Sequence, residues 1–285
     1  MVDIVSQVID PNDLLVPRKC RCQSSGTPWL SVPLVGTAMV LVYNDPGCFT
    51  ANLKLSKATM SGIYSGKIRN WNQVPGCSNV NLHITLCERC DNSMQTAALT
   101  RTLRCMGVQV PNEPCCAPGP NFFNFQRPAQ GCSSVGGDLV GDCTRGGAPY
   151  ATRVHGSVQQ CVPTFSGSIA AFRYCDYLQA TTGVKAFRLQ TGTGRWVKPR
   201  RSEILTGILN SNCGKRCVPS EGWPMVVVPR MIYRARGYGS LVSVIRTSCR
   251  KVVRNRCSCF SNKCYFQLPR SCRDPSLRIC KRISA

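Results

Sequence analysis

The longest apolar run in the chain, VPLVGTAMVLVYN from Val32 to Asn44, predicts a buried strand closed by Asp45-Pro46-Gly47. It falls short of the roughly 18 unbroken apolar residues that a spanning helix takes. A second short strand is expected over Leu53–Leu55. Ser56 can then cap a helix by accepting from a backbone N–H that has no helical partner, and Gly66 and Asn70 end that helix. Val80–Leu86 alternates apolar and polar residues and predicts a strand. Ser93–Cys105 places Ala97, Ala98, Leu99 and Leu103 at helical spacing.

Further along, Gly156–Val162 reads as a short helix, and Ser168–Leu178 begins as a strand and continues as a helix. Trp196–Arg201 reads as a basic loop, Glu203–Leu209 as a short helix and Leu241–Val253 as a longer one. Pro224–Tyr233 reads as a buried strand interrupted by Pro229, as at an edge or bulge. Val110–Gly147 is an irregular insertion rich in Pro, Gly, Cys and Asn, and Cys257–Ala285 a disulfide-stapled tail with little apolar periodicity.

Composition changes this picture in two ways. The 285 residues carry a formal net charge of +23, which draws anions, anionic lipids, acidic polysaccharides or nucleic acid. No run interleaves aromatic with basic residues, so a base-stacking platform and a specific nucleic-acid partner are not expected. The 21 cysteines suit an oxidising compartment and several disulfides, although Met1 is not followed by the basic and apolar regions of a signal peptide. Cys87-x2-Cys90, Cys213-x3-Cys217 and Cys257-x-Cys259 with Cys264 have spacings that zinc or redox chemistry could use, but disulfides are the first expectation and no metal is assigned. No cofactor motif, G-x-S-x-G, H-E-x-x-H or P-loop occurs, so an enzyme is not expected.

Five ordered segments carry a family resemblance. They are VPLVGTAMVLVYNDPG, LSKATMSGIYSGKIRNWNQ, RCDNSMQT from Arg89 to Thr96, HGSVQQCVPTFSGSIAAFRYCDYLQ from His155, and WPMVVVPRMIYRA from Trp223. Together they resemble the phosphate-binding subfamily of the periplasmic binding proteins, the substrate-binding components of phosphate ABC transporters. The resemblance implies an α/β, two-lobed, type II periplasmic-binding-protein-like fold with a Cys-rich basic C-terminal tail. Residues 1–248 would form the binding-protein domain, with lobe I at about 1–42 and 180–248, lobe II at about 43–179, and the tail at 249–285. Val40–Asn44 and Ile169–Tyr174 would be the crossovers between lobes. Val2–Leu14 falls on a segment well inside the family's first lobe, so the family's first strand and phosphate-cradling loop are expected upstream of Met1.

The same resemblance implies a ligand set for inorganic phosphate or another small oxyanion: Arg89, Asp91, Ser93, Gln95 and Ser6. Arg89 offers a planar fork of donors, Asp91 orients it, and Ser93 adds a hydroxyl where a helix begins. Read without the family, Arg89, Asp91 and Ser93 suit an ordinary helix cap and surface ion pair. Met94-Gln95 stands where the family has Gly-Thr, and Val5-Ser6-Gln7 lacks the family's carboxylate. Two functions remain open: extracellular or periplasmic oxyanion binding, and a structural or interaction protein that keeps the scaffold and works through disulfides and a basic surface. The second would meet an anionic cell wall, matrix or membrane surface through Arg250, Lys251, Arg254, Arg270, Arg278 and Lys281.

Overall fold

The computed structural model describes residues 5–7, 29–49, 52–88, 94–108, 152–155, 158–180, 183–214, 216, 218–234, 236–237, 239–254 and 264–284. The strands are β1 (Val5–Gln7), β2 (Trp29–Pro33), β3 (Thr37–Asn44), β4 (Thr85–Glu88), β5 (Thr152–His155) and β6 (Ser168–Arg173), followed by β7 (Val184–Ala186), β8 (Leu189–Gln190), β9 (Trp196–Val197), β10 (Val226–Val227) and β11 (Arg230–Arg234). The helices are α1 (Lys57–Tyr64), α2 (Met94–Cys105), α3 (Val158–Thr164), α4 (Tyr174–Leu178), α5 (Arg201–Asn210), α6 (Val242–Val253) and α7 (Arg270–Lys281). A three-stranded sheet has the order β1-β11-β2. A six-stranded sheet has the order β10-β3-β6-β4-β5, with β7 also on β3.

The long apolar run does not form one strand. β2 and β3 are separated at residues 34–36, and their partners β11 and β10 are separated at Val228 and Pro229. Proline has no N–H for a ladder, so the second strand must break there. Leu34 N–H donates to the Pro229 carbonyl at 2.9 Å across the break. The antiparallel ribbon, Trp29↔Arg234 to Pro33↔Arg230 and then Thr37↔Val227, thereby passes from one sheet into the other. Each sheet has its own apolar cluster. Leu30, Val32, Ile245, Cys249, Val253, Cys280 and Ile283 lie under the three-stranded sheet, and a larger core surrounds β3, β6 and β4.

Ser56 caps α1 as expected, its hydroxyl accepting from Thr59 N–H at 3.1 Å. Gly66, at φ 74°, supplies the left-handed turn just past the end of α1. Asn70, read as part of that helix end, instead caps the single turn Trp71–Gln73, with Gln73 closing the capping box. Trp71 is fully buried, lies 6.3 Å from Phe187 and 5.9 Å from Tyr43, and donates Nε1–H to the Gly167 carbonyl at 2.7 Å. Burial within this cluster pushes the Tyr43 phenol up to about 12.

Several local expectations change. Leu53–Leu55 forms only an isolated parallel bridge, Lys54↔Arg188. Regular pairing in Val80–Leu86 starts at Thr85, because the preceding residues turn back on Trp71 and Arg69 through Leu82 and Ile84. The Trp196–Arg201 loop contains β9 and the first residue of α5. The C-terminal stretch has more order than its composition suggests. α7 packs on α6, while Cys264, Phe266, Leu268 and Cys272 join the larger core. The Val110–Gly147 insertion lies outside the described residues.

The disulfides replace the zinc and redox alternatives at the cysteines they engage. Cys87 pairs with Cys161, Cys213 with Cys272 and Cys264 with Cys175. Cys48–Cys77 and Cys249–Cys280 are also closed. A thiolate needed for metal or redox work is unavailable once the sulfur is bonded to another sulfur. Among the described residues no group of His, Cys, Asp and Glu could hold a metal ion, and no helix is long and apolar enough to cross a membrane.

Candidate functional site

β4, β5 and β6 are parallel, and their pairing aligns Thr85 with Thr152 and Ser168, and Glu88 with His155. The carboxyl ends of β4 and β5 therefore lie side by side. Residues 89–93 lead from β4 into α2, which begins at Met94 and packs on β6 and β3. A strand carboxyl end followed by a helix start is where open α/β sheets take ligands, because unpaired backbone N–H groups and the positive end of the helix gather there. The Cys87–Cys161 bond ties β4 to α3 just before this edge.

The expected ligand residues fall unevenly on this frame. Arg89, Asp91 and Ser93 lie outside the described residues. Gln95 is in the first turn of α2. Ser6 is on β1, paired with Met231 in the three-stranded sheet. Gln95 and Ser6 thus belong to elements of different sheets. β5, which completes the edge beside β4, is absent from the sequence expectations. Its four residues, Thr-Arg-Val-His, carry too short a pattern to signal a strand.

The strands that join the two sheets also carry charge that the sequence did not single out. β3 pairs with β6 over Met39–Tyr43 and with β7 over Val42–Asn44. Just beyond β3, Asp45 accepts from Lys185 of β7, a partner 140 residues away that no local signal could have found. Partial burial would raise the Asp45 carboxyl, but Lys185 and the Gly47 N–H outweigh it and hold the group below its ordinary 3.8. A carboxylate held low stabilises the fold above its unfolded value, and that contribution disappears as pH falls through the lower folded value. Asp45→Asn is therefore expected to flatten the acid limb of thermal stability below about pH 4, with a loss near neutrality of at most about 1 kcal/mol, because both side chains remain open to water. Thermal melts of both proteins across pH 2–7 check this, and parallel curves would assign the pair no role.

With this arrangement in hand, comparison with known proteins decides the family. Residues 17–199 match the PBP superfamily domain. The chain belongs to the PBP superfamily.

Solved PBP structures agree in fold. A high-affinity periplasmic phosphate-binding protein, PfluDING, solved with phosphate bound, superposes with a TM-score of 0.62 at 16% identity, covering 99% of this chain and 84% of that one. An ancestral soluble variant of the human phosphate-binding protein gives 0.63 at 16% identity over the same shares. These likenesses establish the two-lobed PBP fold. Among curated relatives, alkaline phosphatase L of Pseudomonas aeruginosa is 32% identical over 80 residues, 28% of this chain and 20% of that protein. The chain spans a fifth or less of the length of the curated relatives it matches.

Proposed function

We propose that this PBP-superfamily chain binds inorganic phosphate without turning it over, outside the cytoplasm or in the periplasm. The observation that carries this is the pairing of a strand end at β4 and a helix start at α2 with a fold shared, over nearly the whole chain, with phosphate-binding proteins. In this reading Arg89 forks onto two phosphate oxygens, Asp91 orients its guanidinium, and Ser93 and Gln95 donate at the α2 start. Ser6 comes from the facing lobe, and the lobes, about 1–42 with 180–248 against 43–179, close over the anion about β3 and β6. The disulfides suit an oxidising compartment.

Calorimetric titration of phosphate, then sulfate, into the oxidised protein tests the proposal. Arg89→Ala is expected to weaken phosphate binding by about tenfold to a hundredfold, the range for losing a charged hydrogen-bond donor. No heat from a folded protein would overturn it. The phosphatase relative makes hydrolysis of p-nitrophenyl phosphate the necessary control, and none is expected.

A second reading has its own observation. α6 and α7 pack together and expose Lys251, Arg254, Arg270, Arg278, Lys281 and Arg282. That surface suits an anionic cell wall, matrix or membrane. Salt-sensitive binding to such a surface, with no small-ligand heat, would favour the scaffold over the receptor.

A further inference from the structure

A cluster of cations that the β4–α2 edge does not use gathers around the β8–β9 hairpin. Leu189 pairs with Val197 and Gln190 with Trp196. One step further out, Arg188 stands opposite Lys198, and cross-strand neighbours share a face. On the other side of Arg188 the bridge Lys54↔Arg188 brings in a third cation. Backbone hydrogen bonds from Arg188 N–H to Leu53 and from Leu55 N–H to Arg188 lock that register at 2.8 and 2.9 Å. Lys54 Nζ lies 5.6 Å from the centroid of the Trp196 ring, on β9, and Lys198 follows the last residue of that strand. Arg200 comes two residues after Lys198, as the N-cap residue of α5, and makes no side-chain cap there.

Like charges facing one another across strands are destabilising, and cations beside a helix N-terminus oppose its dipole. No ion pair among the described residues joins any of these cations to a carboxylate. Asp45 and Asp176 are engaged by Lys185 and Arg173, and Glu203 and Glu221 by Arg195. The Arg188 Nε is buried and has no hydrogen-bond partner among the described residues. A buried guanidinium N–H left unpaired is costly, and a bound oxyanion would relieve it. Burial and the charges of Arg188 and Arg200 also hold the Lys198 amine below its ordinary 10.5, as expected where the cations lack a counter-charge.

We propose that Lys54, Arg188, Lys198 and Arg200 form a second oxyanion site, separate from the β4–α2 edge, that takes a doubly charged phosphate or sulfate group. The group is either a free anion or an ester carried on a polymer, since the same donors serve both.

The test labels the lysines of the whole oxidised chain by reductive ¹³C-methylation and assigns the Lys198 signal with Lys198→Arg. Phosphate, sulfate, chloride at matched ionic strength and a sulfated oligosaccharide are then titrated in turn. A saturable shift of the Lys198 signal with phosphate or sulfate, but not with chloride, is the expected result. A shift with the oligosaccharide alone supports the site and assigns it a polymer-borne ligand. Lys54→Gln, at an exposed position, and Arg188→Met are each expected to weaken the response by about tenfold or more. Arg188→Met is also expected to raise Tm in chloride by removing the uncompensated charge. No Lys198 shift with any anion, or an equal shift with chloride, overturns the site. Arg89→Ala keeps the two proposals apart: it weakens binding at the β4–α2 edge and leaves the Lys198 response intact.

Discussion

Trp71→Ala is expected to remove about 4 kcal/mol or more of stability and to lower Tm by roughly 10 °C. Deleting a buried Trp side chain typically costs about 3–5 kcal/mol, because the transfer energy is lost and the cavity refills only in part. Trp71 is also the donor to the Gly167 carbonyl, which would keep only a longer bond, 3.4 Å, from Thr85 N–H. Its neighbours offer little room to relax. Tyr43 and Phe187 lie 4.5 Å apart, centroid to centroid, and a Cβ on Gly167 would already meet Trp71 Nε1 at 2.7 Å. Gly167 itself sits at φ +70°. A loss of this size is a large part of the roughly 5–15 kcal/mol that holds a typical domain folded. Chemical denaturation followed by tryptophan fluorescence and by circular dichroism measures it. Trp71→Phe, which keeps most of the apolar volume, separates packing from the hydrogen bond. A loss below about 1 kcal/mol for Trp71→Ala would show that this cluster is not a keystone of the larger core.

Removing the Cys87–Cys161 bond, as Cys87→Ala with Cys161→Ala, is expected to destabilise the oxidised protein by about 3 kcal/mol and to weaken the proposed phosphate binding with it. The bond closes 74 residues of chain, so its loss releases many unfolded conformations. It also fixes the last turn of α3 against β4 immediately before residues 89–93. Loosening that strand end would spread the orientations of every group that follows it. Both sulfurs are buried, and alanine avoids leaving two polar thiols in an apolar core. Thermal melts and calorimetric phosphate titration of the double variant measure the two effects. Full stability with unchanged phosphate affinity would place the functional edge elsewhere.

What the chain wrote locally is legible without a structure. Ser56 and the apolar spacing after it specify α1 because a cap and a helix face are decided within a few residues. The change from strand to helix after Arg173 follows the run SIAAFRYCDYL for the same reason. The ordered motifs around Trp71, Arg89 and Trp223 carried the family, and the matched domain and the PBP folds bear that out. Tertiary structure alone decided which cysteines meet, since spacing does not determine pairing. It also decided that β5 exists, because four residues become a strand only when β4 supplies the hydrogen bonds. The C-terminal stretch looked irregular because its buried positions are mostly Cys and Ser, whose burial follows from Cys213, Cys175 and Cys249 on distant elements. The meeting of Lys54, Arg188 and Lys198 was equally invisible. Each is an unremarkable cation in its own segment, and only the β8–β9 pairing and the isolated Lys54↔Arg188 bridge bring them together.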